Sequence, residues 1–199
     1  MKTLEHFTID GSCGGQQEWF SDPWMNKGGC ALVTACDSCI YFARTRGMSA
    51  LYPFDEWALT REDYLAFGER MRPYLSPRPS GINKTGIYVR GFRDYLAALP
   101  DTGLRVRSVD GHAPLETAAE TIRGQIDSGF PVPYLMLLHH DSTLDDYMWH
   151  WFLLNGYDDP GNGFLVRAVT YGKETWLDLP YLWDTRRTQK GGFIVFTVK

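Results

Sequence analysis

The sequence has no apolar run long enough for a membrane helix. A span needs about 20 consecutive apolar residues. The longest runs here, Tyr134 to Leu138 and Trp149 to Leu154, fall far short. The N-terminal Met1-Lys2-Thr3-Leu4-Glu5-His6-Phe7 has no apolar core, so it does not read as a secretory signal. The expectation is a cytoplasmic protein with no membrane partner. A basic stripe is also missing. The net charge is −4, and the nearest thing to a cluster, Arg186, Arg187 and Lys190, reads as a solvated turn. Without clustered cations there is nothing to hold a phosphate backbone, which excludes nucleic acid. No internal repeat or low-complexity tract is visible.

Cysteine is scarce. In a reducing compartment Cys13, Cys30, Cys36 and Cys39 are expected to be free thiols. Cys36 and Cys39 form a C-x-x-C, the spacing of a zinc or redox site. There is no second such pair and no H-x-x-x-H to complete four ligands. The pair also falls inside an apolar helical pattern, so buried thiols are expected. His139-His140-Asp141, with Asp145 and Asp146, raises the same question. Adjacent residues at a strand end point to opposite sides, which favours a loop lining a cleft over a metal site.

What remains is an ordinary globular composition over 199 residues, rich in aromatic residues, with seven Trp and eleven Tyr. That supports one domain over 1–199 with aromatic packing around a cleft or sheet. Residues 1–130 read as mainly helix and loop. Ala31 to Phe42 is apolar over most of a helical circumference, as in a buried central helix. Thr60 and Asp63 resemble a capping box opening a helix through Arg72. Further helices are predicted at Tyr88–Leu99 and Pro114–Ser128, and a strand at Leu104–Val109. Residues 131–199 change character. Val132–Leu138, Tyr147–Tyr157, Gly163–Tyr171, Thr175–Leu179 and Gly192–Val198 read as strands separated by turns such as the stretch from Asp158 to Gly163. Helices first and an antiparallel meander after is the α+β pattern.

Two stretches carry chemistry. Gly28-Gly29-Cys30 lies where a loop feeds the apolar helix. A thiol at a helix N-terminus faces unpaired N–H groups and the positive dipole end, which favour the nucleophilic thiolate. The Cys30 N–H can also donate to an oxyanion. His150 opens the strongly apolar Trp151-Phe152-Leu153-Leu154-Asn155-Gly156-Tyr157-Asp158. Opposite a thiol, an imidazole there takes the thiol proton. Read alone, Cys30 is a buried thiol beneath a glycine turn and His150 a core histidine. The conjunction points to a nucleophile–base pair.

Three features, in order, resemble the papain-like cysteine peptidase superfamily, and within it the bacterial double-glycine leader peptidases. They are Gly29-Cys30-Ala31 opening the central helix, Ile122 to Val132 running from helix through Gly129-Phe130-Pro131-Val132 into a strand, and His150 followed by an apolar strand and Gly156-Tyr157. The resemblance implies a papain-like α+β fold and acyl transfer on a peptide or related amide through a thioester, without a cofactor. Cys30 would be the nucleophile and His150 the base, later the acid. In that family an Asn or Asp on the following strand orients the imidazole. Matching Tyr171-Gly172 to the family's Trp-Gly puts Val169 there. Thr170 replaces it only if a bulge shifts the register. The family's oxyanion Gln, usually six residues before the Cys, falls on Trp24 here. Gln17, reached by a longer loop, is the expected substitute. A weakened or inactive domain that binds peptides in its cleft is the alternative. Trp19, Trp24, Trp149 and Trp151 flank both elements and divide between core packing and an apolar subsite.

Overall fold

A computed structural model describes residues 1–161 and 163–199. Asn162, part of the expected turn after Asp158, lies outside the described residues. The chain opens with three short strands, β1 (Lys2–Thr3), β2 (Thr8–Ile9) and β3 (Ser12–Cys13), then α1 (Pro23–Gly28) and α2 (Cys30–Arg46). The helices α3 (Arg61–Met71) and α4 (Thr85–Ala97) follow, then β4 (Leu104–Asp110) and α5 (Leu115–Asp127). The C-terminal part holds β5 (Val132–Met136), β6 (His150–Asp158), β7 (Leu165–Thr170), β8 (Lys173–Asp178), α6 (Leu179–Trp183) and β9 (Gly192–Val198). The fold is α+β, with helices packed on an antiparallel sheet.

Local chemistry sets the helix ends. Asp22 caps α1, accepting from the N–H groups of Trp24 and Met25, with Pro23 in the first turn where its missing N–H costs nothing. Thr60 caps α3 by accepting from Asp63 N–H at 3.0 Å, while its hydroxyl donates to the Asp63 carboxylate. Gly47, at φ +64, ends α2 in the left-handed conformation that glycine adopts without steric cost.

The sheet order is β4-β9-β5-β6-β7-β8, with β1 added beside β6. The meander reading therefore covers β5 to β8 and fails for β9. After α6 the chain returns across the sheet, and β9 inserts between β4 and β5. Its composition explains the position. Gly192 to Phe196 is a continuous apolar run, buried throughout, and such a strand needs neighbours on both faces rather than an edge. One edge belongs to β8, where exposed Lys173, Glu174 and Asp178 discourage further pairing, and the other to β4. Leu104–Asp110 and Lys2–Thr3, both within the expected helical half, also join the sheet.

The core lies between the helices and the sheet. Phe42 of α2 meets Phe130 and Phe196 edge-on, and Phe92 of α4 also meets Phe196. Tyr88 of α4 stacks on Trp151. Tyr134, Phe152 and Phe193 form a second aromatic layer with Trp183 of α6. Where β9 and β5 part company, Gln125 of α5 takes the place of a strand. Its amide donates to Phe196 O and accepts from Phe196 N–H, satisfying backbone groups that burial would otherwise leave unpaired.

Candidate active site

Two helices meet at Gly29. Its N–H donates to Met25 O, closing α1, and its carbonyl accepts from Val33 N–H, opening α2. A Cβ here would lie 2.3 Å from Met25 O, so only glycine permits the junction. The junction fixes Cys30 as the first residue of α2, 6% exposed. Burial pushes its thiol up, and the backbone N–H groups of Trp151, Ala31 and Cys30 itself, aimed at the sulfur, oppose that rise.

His150 opens β6, the strand that packs against α2. It is buried, and desolvation pushes its imidazole down to about 4. Its Nε2 lies 2.7 Å from Thr170 Oγ1. A bulge makes this contact possible. In β6 and β7, Gly156 pairs with Arg167, but Leu154 pairs with Ala168, leaving Asn155 as the extra residue. Without that extra residue the pairing would run on to Leu154 opposite Val169, placing Val169 on the His150 face. With it, Leu153 faces Val169, and Thr170 turns to the side of Phe152 and His150. The bulge residue is itself tied down: the Asn155 amide donates to Glu174 and accepts from Arg167.

Tyr171 completes the imidazole's surroundings. Its ring stacks on His150 with centroids 4.8 Å apart and planes 7° from parallel. Tyr171 and Gly172, both at positive φ, form the two-residue turn joining β7 to β8, and the Tyr171 hydroxyl donates to Asp146 O. In the sequence Tyr171 stands out only for its match to the family's Trp-Gly. Its position after the strand end was the available signal.

Gln17 stands in a single turn of 3₁₀ helix, Gln17–Trp19, and lines the same cavity as Cys30, His150 and Thr170. All four expected residues thus meet around one narrow cleft of about 20 Å³. The loop carrying Gln17 is anchored from α2. The Gly15 N–H donates to the Asp37 carboxylate, which also accepts from Tyr64 Oη at 2.8 Å and lies 3.7 Å from His6 Nε2. Asp37 sits about two helical turns beyond Cys30, on the same side of α2. Among the described residues the Gln17 Oε1 is buried without a hydrogen-bond partner. Glu18, next in the chain, lines the cleft and opposes ionisation of Cys30.

Among the described residues, no hydrogen bond joins the Cys30 thiol to the His150 ring. The thiol is held up and the imidazole down, so the resting pair is neutral. Nε2 is engaged by Thr170; where that nitrogen is the donor, Nδ1 is left as the basic one.

The remaining candidates divide. Cys36 and Cys39 are fully buried in α2 with their thiols pushed up by desolvation. His139 and His140 do not line the cleft with Cys30. His139 is buried with Nε2 bonded to Tyr181 O, and both rings pack on Tyr181. Trp151 is core, its indole N–H donating to Ile82 O. Trp24 and Trp149 are exposed and line a groove of about 360 Å³ on the other side of Cys30.

The depressed His150 pKa makes folding pH-dependent. The unfolded imidazole protonates near 6.5 and the folded one near 4. Between those values the unfolded state binds more protons, so stability falls as pH drops through this window, by up to about 3 kcal/mol, and is fully present above it. Urea unfolding at pH 7 and pH 4.5 should show the wild type losing about 2 kcal/mol more than His150→Asn. Equal losses would mean that His150 is not desolvated in solution.

Comparison with models of known families, with curated proteins and with solved structures finds no match to this chain.

Proposed function

We propose that the chain is a cofactor-free cysteine hydrolase of papain-like arrangement, acting on a peptide or related amide. One observation carries the reading: a cysteine at a helix N-terminus shares a cleft with a histidine whose Nε2 is held by a hydroxyl. The placement also fits, with the cysteine opening the central helix and the histidine opening the strand packed on it.

In this reading His150 Nδ1 takes the Cys30 proton as Sγ attacks the substrate carbonyl carbon. The oxyanion that forms accepts from the Cys30 N–H and the Gln17 amide. Thr170 Oγ1 accepts from Nε2–H, holding the tautomer that leaves Nδ1 basic. The imidazolium then returns its proton to the leaving amine, and a thioester remains on Cys30. Water, deprotonated by the same nitrogen, attacks the thioester. The acid departs and the thiol is restored. An amine in place of water would turn the same intermediate to acyl transfer.

A second reading is a domain that binds peptides without turnover. The unbonded, neutral Cys30–His150 pair favours it. The two are separated by trapping. The protein is mixed with limiting p-nitrophenyl acetate at pH 7, and the adduct is mapped by mass spectrometry. The hydrolase reading expects one acetyl group, on Cys30, lost with time. A protein that stays unmodified, or is labelled at Cys13 instead, supports the binding domain.

A further inference from the structure

We propose that the groove between Trp24 and Trp149 receives a substrate segment pairing a large apolar side chain with a carboxylate. The inference rests on the hydrolase reading and deepens it, since Cys30 is among the residues that line the groove. Trp24 of α1 and Trp149, the residue before β6, are 52% and 45% exposed. A tryptophan left this open beside a reactive group forms an apolar wall, because a flat ring contributes much contact area at little entropic cost. The backbone of Trp149 is also held at φ +54, a left-handed conformation that is uncommon for a bulky residue. It persists because Trp149 N–H is bonded to Leu137 O on one side and His150 begins β6 on the other.

The charge of the groove supplies the second half of the inference. Its lining includes Lys27 and Arg78 and no carboxylate, on a chain whose net charge is −4. Both cations are exposed. Among the described residues neither forms an ion pair or a side-chain hydrogen bond, whereas Arg72, Arg105, Arg123 and Arg167 each have a carboxylate partner. Two unpaired cations beside two aromatic walls complement an anionic side chain next to an apolar one. The groove stays open at Gly81, where a Cβ would meet nothing within 4 Å, and is narrow at Gly28, where a Cβ would meet Arg78 O at 3.3 Å. An extended peptide fits such a channel better than a compact ligand.

The test uses the full chain carrying Cys30→Ala, so that binding is read without chemistry. Calorimetry compares acetyl-Glu-Phe-Ala-Ala-amide with acetyl-Lys-Phe-Ala-Ala-amide and acetyl-Glu-Ala-Ala-Ala-amide. The Glu-Phe peptide should bind about tenfold tighter than either, the Lys-Phe gap closing in high salt. Adding Lys27→Glu and Arg78→Glu should reverse the preference between Glu-Phe and Lys-Phe. Both residues are exposed and unpaired, so these changes leave the fold intact. Equal binding of Glu-Phe and Lys-Phe, no binding at all, or a preference that survives the charge reversal overturns the inference. Binding that follows the charges, with a wild-type Cys30 that never acylates, would retain the groove and reject the hydrolase.

Discussion

Replacing Cys30 by Ala should lower turnover by at least about 10⁴-fold, and replacing His150 by Ala should cost nearly as much. The double variant should be no worse than either single one. That non-additivity is the informative part. A nucleophile and its base act as a unit, so once one is gone the other has nothing to assist. Two residues contributing independently, through packing or binding, would instead multiply their effects. The neutral resting pair adds a second expectation. The active form needs a free imidazole and an un-ionised thiol. With His150 held near 4 and the Cys30 thiol held up, kcat/KM should be flat from about pH 5 through neutrality. An acid limb near pH 6.5 would mean a solvated imidazole. Labelling supplies the control. Cys36 and Cys39 are fully buried and Cys13 is pushed up to about 12, so loss of the acyl adduct in Cys30→Ala should not expose a substitute site.

Much of this site was visible in the sequence because its two principal members lie on regular elements. A run apolar on every side, as from Ala31 to Phe42, has no stable place except the centre of a domain, and Cys30 immediately precedes it. His150 likewise begins a run of buried residues. The strand order was less legible. Alternation and turn residues report a strand's neighbours only when the connection is short, and the return from α6 to β9 is not. The groove was legible only in part. Trp24 and Trp149 were open to either role, and their meeting with Arg78 depends on loops far apart in sequence. Tyr171 was missed because an aromatic residue in a tight turn looks the same whether it faces solvent or an imidazole.

Thr170 marks the point where pattern reading reached its limit, and its replacement is the second decisive experiment. Matching Tyr171-Gly172 to the family's Trp-Gly puts Val169 beside the imidazole, and the extra residue at Asn155 turns Thr170 there instead. No feature of the period announces a bulge. The reason for it lies across the sheet, where Arg167 and Glu174 hold the Asn155 amide. Thr170→Val keeps the shape and removes the hydroxyl. The imidazole loses its tautomeric guide, and its Nε2 is left buried without a partner. Turnover should fall roughly 10²-fold, less than loss of His150, since the base itself remains. Stability should fall by about 1–3 kcal/mol, and melting curves separate this from the kinetic effect. Thr170→Ser should retain turnover within a few-fold, because it keeps the oxygen. Adding Val169→Thr to Thr170→Val is the discriminating variant. In the bulged register position 169 faces away from His150, so the added hydroxyl should restore nothing. Recovery in the double variant would mean that the strands pair in solution without the bulge, and that the orienting position is 169, as the family match gives it.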